Sequence, residues 1–264
     1  MNPQLKQRNV IGNYLKEISY TKYYVVLVLL TIVVSYSIYL FFDVEQIHSL
    51  GDEDKFFEWA TAFSLLAAGV MFLLHYLKVL YNLKVRNFFL LALAIIMFIG
   101  FGEEISWGQR VFNFSTPEAL MEINEQKEVS LHNIRLFQRS DHTGNFKIGL
   151  ERITEINFLF KIFTILFGII LPLMVFHLKF VSKIARRIKI PVPPVSIGIF
   201  FLVSWATYKT MESFVLPKDM DIQYYDTIYE VMEFVATFIL FIISHYLYRN
   251  WNTQPLGLDI KQVP

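Results

Sequence analysis

From Tyr23 to Phe42 the chain runs for 20 residues without one charged side chain. A helix needs about 20 mainly apolar residues to cross roughly 30 Å of hydrocarbon at about 1.5 Å per residue. A soluble domain has no place for such a stretch, and it is not alone. Segments 58–77, 87–110, 156–178, 190–210 and 228–248 approach the same length and character. The expected fold is all-α: a polytopic integral membrane protein, with a six-transmembrane-helix bundle over 23–250 between tails 1–22 and 251–264. Hydrophobic residues make up 55 % of the chain and charged ones 18 %, which excludes disorder and an ordinary soluble surface. There is no cysteine, so disulfides, zinc knuckles and thiol nucleophiles are excluded. A net charge of +1 argues against a nucleic-acid partner.

Lys and Arg in short loops mark the cytoplasmic side. They concentrate in three regions: Lys6, Arg8, Lys16 and Lys22 in the first tail, Lys78, Lys84 and Arg86 after the second span, and Lys179, Lys183, Arg186, Arg187 and Lys189 after the fourth; Arg249 just beyond the sixth agrees. The intervening connections carry acids, among them Asp43, Glu45, Asp52, Glu53 and Asp54. Six crossings with both termini in the cytoplasm satisfy this alternation. Residues 1–22 are expected to lie on the membrane surface as an amphipathic helix.

Two of the apolar runs are too short. Phe88 to Gly102 is 15 residues, and so is Phe234 to Tyr248; each reaches only about 22 Å. If the third helix continues to Arg110, it carries Glu103, Glu104, Ser106, Trp107, Gln109 and Arg110 into the outer part of the bilayer. Extending the sixth outward recruits Glu233 and Glu230, one turn apart on one face. Glu58 opens the second span and Glu212 follows the fifth. An ionised group in hydrocarbon costs about 2.5–3.5 kcal/mol, so such groups face a bundle interior or wet cavity and are paired. A polar cavity open to the outside is the expectation, with Arg110 and Lys161 as cationic partners. The blander reading is an interfacial belt of acids and aromatics at helix ends.

The connection 111–155 is long for a loop and does not read as disordered. Ser115-Thr116-Pro117-Glu118 is a helix start, predicting an amphipathic helix from Pro117 to Val129 along the outer surface. If the helix persists, Glu128 and His132 share a face at i, i+4, a spacing able to hold a divalent metal with a third ligand. A hydrogen-bonded pair is the simpler account of the same spacing.

The segments Gly51–Ala62, Gly102–Arg110 (Gly-Glu-Glu-Ile-Ser-Trp-Gly-Gln-Arg) and Thr116–Leu120, with Asn124, Gln126, Glu128 and Leu131-His132-Asn133, together resemble an uncharacterised family of bacterial polytopic membrane proteins. The resemblance covers about residues 51–133. It implies a bacterial cytoplasmic (inner) membrane protein in which Glu58, Glu103, Glu104, Ser106, Trp107, Gln109, Arg110, His132 and Asn133 belong to one signature; it supplies no reaction. Three functions fit. In the first, a hydrolase or transferase acts on a membrane lipid or lipid-linked substrate, with Glu103 or Glu104 as base, Glu230 or Glu233 as acid, His132 as shuttle or metal ligand, Arg110 and Gln109 holding an anion, and Ser106, Trp107, Asn133 and Glu58 lining the substrate site. In the second, a proton- or cation-coupled transporter loads the same carboxylates. In the third, the charges are the docking surface of a scaffold or accessory subunit.

Overall fold

A computed structural model describes residues 3–51, 55–124, 126–138, 147–215 and 222–251. Among them the architecture is helical throughout, relieved by one isolated bridge between Asn124 and Ile134. Helix α1 spans Pro3–Phe41, α2 Val44–Gly51, α3 Phe56–Leu83 and α4 Phe88–Glu104. Short α5 (Gln109–Phe112) and α6 (Glu118–Met121) lie in the long connection. Then come α7 over Ile156–His177, α8 (Lys179–Ile188), α9 (Val195–Gly198), α10 (Phe200–Thr210) and α11 (Ile222–Arg249). Among the described residues four stretches are long and apolar enough to cross a membrane: Ser19–Phe41, Val44–Leu83, Ile156–His177 and Asp226–Arg249.

The local sequence explains where these helices begin and end. Asp43 and Gln46 form a reciprocal box at the head of α2, the Gln46 N–H donating to Asp43 Oδ1 (2.9 Å) and the Asp43 N–H to Gln46 Oε1 (3.2 Å). Asn87 caps α4 by accepting from the N–H groups of Phe89 and Leu90, while its own amide donates to the Lys189 carbonyl at 2.8 Å. Pro191, Pro193 and Pro194 hold the chain out of helix until Val195. Of the four long apolar stretches, Asp226–Arg249 in α11 is the most enclosed. It packs along α3, and α1, α2 and α10 also lean on it. Ala68 and Phe72 of α3 meet a fully buried stripe of Val235, Ile239 and Ile243, which recurs at helical spacing.

Several expectations are corrected. Residues 3–22 continue α1 without a break, so no separate surface helix forms. The acidic stretch after Phe42, read as a loop, contains α2, anchored by buried Ile47. The third span does not continue to Arg110: α4 ends at Glu104 after 17 residues, about 25 Å. The helix expected from Pro117 to Val129 shrinks to Glu118–Met121. Of the tail read over 251–264, residues 252–264 lie outside the described residues.

One polar contact ties the head of the bundle together. Glu17, 1 % exposed, accepts the Ser196 N–H at 2.8 Å and also the Val195 N–H, while Thr21 and Ser196 share a hydroxyl contact of 2.8 Å. The other Glu17 oxygen has no partner among the described residues. Burial pushes the Glu17 carboxyl above the usual carboxylate range, against the lowering pull of the Ser196 and Val195 bonds. An acid with a raised folded pKa contributes fully below its unfolded pKa, and that stability is lost as pH rises through the folded value. In Glu17→Gln one oxygen still accepts and no charge can form. The melting temperature of the wild type in detergent is therefore expected to fall relative to Glu17→Gln as pH rises above the ordinary carboxylate range; parallel curves refute this.

Candidate functional site

The end of α4 is shaped by its own sequence. After Ile105, Ser106 (φ 46°), Trp107 (φ 53°) and Gly108 (φ 81°) all adopt left-handed backbone, which two L-residues accept only when the surroundings impose it. The constraint is visible. The Trp107 indole folds back over Gly102, where a Cβ would come within 3.0 Å of the ring, and its Nε1–H donates to Glu103 Oε1 at 2.7 Å. The other Glu103 oxygen accepts the Leu131 N–H at 2.5 Å and the His132 N–H at 2.9 Å, with His132 Nδ1 3.4 Å away. Buried Glu103 thus joins the end of α4 to the far side of the outer loop.

Most other signature residues complete that clasp. Ser106 donates to Glu128 at 2.6 Å. Gln109 donates to Thr116 at 2.7 Å and accepts the Val129 N–H at 2.7 Å, and the Thr116 hydroxyl donates to the Lys127 carbonyl at 2.6 Å. Asn124 donates to the Ser130 carbonyl and accepts from the Gln126 N–H. Asn133 donates to Gln126, and Gln138 reaches both His132 O and Asn133 Oδ1. Gln109, Ser106 and Asn133, expected to bind substrate, are therefore occupied in shaping the loop. Residues 126–134 are turns rather than helix, so Glu128 and His132 do not stack at i, i+4; the pair read as metal ligands is divided, Glu128 to Ser106 and His132 to Glu103. Among the described residues no three His, Asp or Glu side chains form a metal-holding group. The break in α4 also removes the argument that put Arg110 on the Glu103 face, and the Arg110 side chain lies outside the described residues.

Glu104 points the other way. One residue along a helix is a rotation of about 100°, so when Glu103 faces the loop its neighbour faces the bundle. There Glu104 lies within Coulomb range of Glu233, Glu230, Glu58 and Glu103. Glu233 accepts the Tyr229 hydroxyl and lies within electrostatic range of His132 and Lys161. The Lys161 Nζ sits 5.3 Å from the centre of the Tyr229 ring. Tyr208 of α10 meets that ring edge-on at 6.1 Å and donates to Glu212 at 3.0 Å, while Lys209 holds the other Glu212 oxygen at 2.5 Å. Glu58 of α3 and Glu230 and Glu233 of α11 are thus within electrostatic range of Glu104, and Lys161 of α7 and His132 of the loop within range of Glu233.

Sequence reasoning missed the two tyrosines. Their signal was present: Tyr229 stands four residues before Glu233, and Tyr208 four before Glu212, the spacing at which helical side chains meet. Carboxyl groups held together share protons, so such a set furnishes an acid and a base at once. No family model matches this chain, nor does any curated protein or solved structure.

Proposed function

We propose that the chain is a bacterial inner-membrane protein of six crossings with both termini in the cytoplasm, and that its outward end carries an acid–base site for hydrolysis or group transfer on a lipid or lipid-linked substrate. The observation that carries this reading is the convergence of the Tyr229 hydroxyl, Lys161 and His132 on Glu233, beside Glu104. In this reading Glu104 and Glu233 exchange the proton, one giving as the other takes. Glu58 and Glu230 sustain the local negative potential, and His132 links the site to the loop. Lys161 takes the anion-holding part that the sequence assigned to Arg110 and Gln109. Glu103 is a positioning residue, because its lone pairs hold the loop and place His132.

A second reading has its own support. Buried polar groups recur toward the opposite end: Glu17 with Ser196, the Tyr24–His245 contact at 3.2 Å, and His75, 3 % exposed with Nδ1 unpartnered among the described residues. Two polar layers suit a proton- or cation-coupled carrier better than a one-sided enzyme.

One experiment separates them. Full-length protein in vesicles of bacterial polar lipid is assayed for lipid products by mass spectrometry and for proton entry under an imposed pH gradient, with Glu104→Gln and Glu233→Gln alongside. New lipid products from the wild type, lost in both variants, are the expected result. Proton entry without products, abolished by the same variants, establishes the carrier and removes the enzyme.

A further inference from the structure

Between α7 and α9 the chain neither turns tightly nor continues the span; it leaves α7 through one extended residue, Leu178 (φ −109°, ψ 105°), and enters α8. That elbow frees α8 from the axis of the helix before it. The far end is fixed too, since Lys189 (φ 57°) closes α8 and its carbonyl accepts from Asn87 at the head of α4. So α8 is held at the level where α4 begins.

Wound at about 3.6 residues per turn, α8 divides into three arcs. Lys179, Lys183, Arg186 and Arg187 share one with Ser182. Val181 and Ala185 form a second, packed against Val175 and Val192. Between these lies the third: Phe180, Ile184 and Ile188, which are 74 %, 40 % and 45 % exposed. An apolar arc left uncovered next to a bundle, flanked by cations, is the arrangement of a helix lying in a lipid interface. The charge is one-sided as well. Residues 179–189 hold five cations and no acid, and among the described residues none of the five has a carboxylate partner. The Asn87 bond brings the basic segment Lys84–Arg86 toward the same level.

We infer that α8 is an interfacial helix that binds the headgroup phosphates of anionic phospholipid in the cytoplasmic leaflet. Phe180, Ile184 and Ile188 enter the upper acyl region, and Lys179, Lys183, Arg186 and Arg187 meet the phosphates. This rests on the membrane reading proposed above and is independent of the chemistry at Glu104 and Glu233. Each cation near an anionic surface adds attraction, and Arg forks onto phosphate oxygens in bidentate fashion.

The chain has no cysteine, so single nitroxide labels can be placed cleanly on full-length protein in nanodiscs of equal parts phosphatidylcholine and phosphatidylglycerol. A label at Ile184→Cys is expected to collide with oxygen in the acyl region and to be shielded from an aqueous nickel complex; a label at Lys183→Cys should show the reverse. Val33→Cys, at an exposed apolar position of α1, is the control. In mixed micelles, native mass spectrometry should find phosphatidylglycerol retained over phosphatidylcholine by about tenfold or more, falling to parity in the quadruple variant K179Q/K183Q/R186Q/R187Q. A water-exposed label at 184 with a lipid-exposed label at 33, or equal retention of the two lipids by the wild type, overturns the inference alone. A water-exposed label at 33 overturns the membrane reading beneath it.

Discussion

Glu103→Ala should release the outer loop from the bundle. In the native chain the Glu103 carboxylate accepts three N–H groups, from Trp107, Leu131 and His132, and a hydrogen bond to a charged group is worth about 1.5–3 kcal/mol. The three are coupled, so their loss is not additive; about 3–5 kcal/mol in total matches the cost of breaking a buried charged network. The left-handed turn at Ser106 and Trp107 is held by the same contacts, so it relaxes when they go. Amide exchange at Leu131 and His132 should accelerate by two orders of magnitude or more, about 3 kcal/mol of lost protection, and proteolysis within 111–155 should follow. Glu103→Gln restores only part of this, because an amide nitrogen cannot accept from the facing N–H groups. Unchanged exchange at both amides would show that the loop is held by something other than Glu103.

The contrast between Glu103 and Glu104 marks how far the sequence could be read. Span-length arithmetic singled out both acids, because they follow an apolar run too short to cross hydrocarbon alone, and it grouped them with Glu58, Glu230 and Glu233 on the neighbouring helices. It could not divide their labour. That division depends on where α4 stops, and the stop is made by three consecutive positive φ angles, two of them at Ser and Trp, neither of which favours left-handed backbone. The fold-back of Trp107 onto Gly102 and the bonds of Glu103 to Trp107, Leu131 and His132 hold the turn, and two of those bond partners, Leu131 and His132, lie in the distant loop. The same limit explains the outer loop. Glu118 to Val129 has helical periodicity, but Asn124, Thr116 and Gln109 compete for its backbone groups with side-chain hydrogen bonds, and those local bonds win over a marginal short helix. The periodic, fully apolar stretches were the legible part, since burial in one long helix leaves little room for alternatives. Glu103 and the outer loop show why polar residues at the ends of apolar helices resist assignment: a Glu reads alike whether it reacts, pairs or clasps a loop.

Gly198→Ala should be the most damaging Gly→Ala change among the described glycines. A Cβ built at Gly198 would stand 1.7 Å from the carbonyl oxygen of Gly168, far inside contact distance, and the opposing atom is backbone, which cannot swing aside. The closeness has a cause in the sequence of α7. Pro172 has no N–H for the carbonyl four residues earlier, which is that of Gly168, and residues Leu166–Ile170 relax into a wider turn. The freed carbonyl then faces the Cα–H of Gly198, so two helices meet backbone to backbone, as small residues allow. Adding a methyl forces α7 and α9 apart along their whole contact, a cost of about 3 kcal/mol or more. For a chain of this size that lowers the melting temperature by about 6–12 °C, readable in detergent by the loss of the monomeric peak on heating. Gly168→Ala meets the Phe201 ring instead, at 2.5 Å; a side chain can shift, so a smaller loss is expected. Gly149→Ala has open space around it and only φ +58° to bear, worth about 1 kcal/mol. The order Gly198, Gly168, Gly149 is what a backbone-to-backbone crossing demands; equal effects at the first two would mean that side-chain packing, rather than the freed carbonyl, sets the spacing of the two helices.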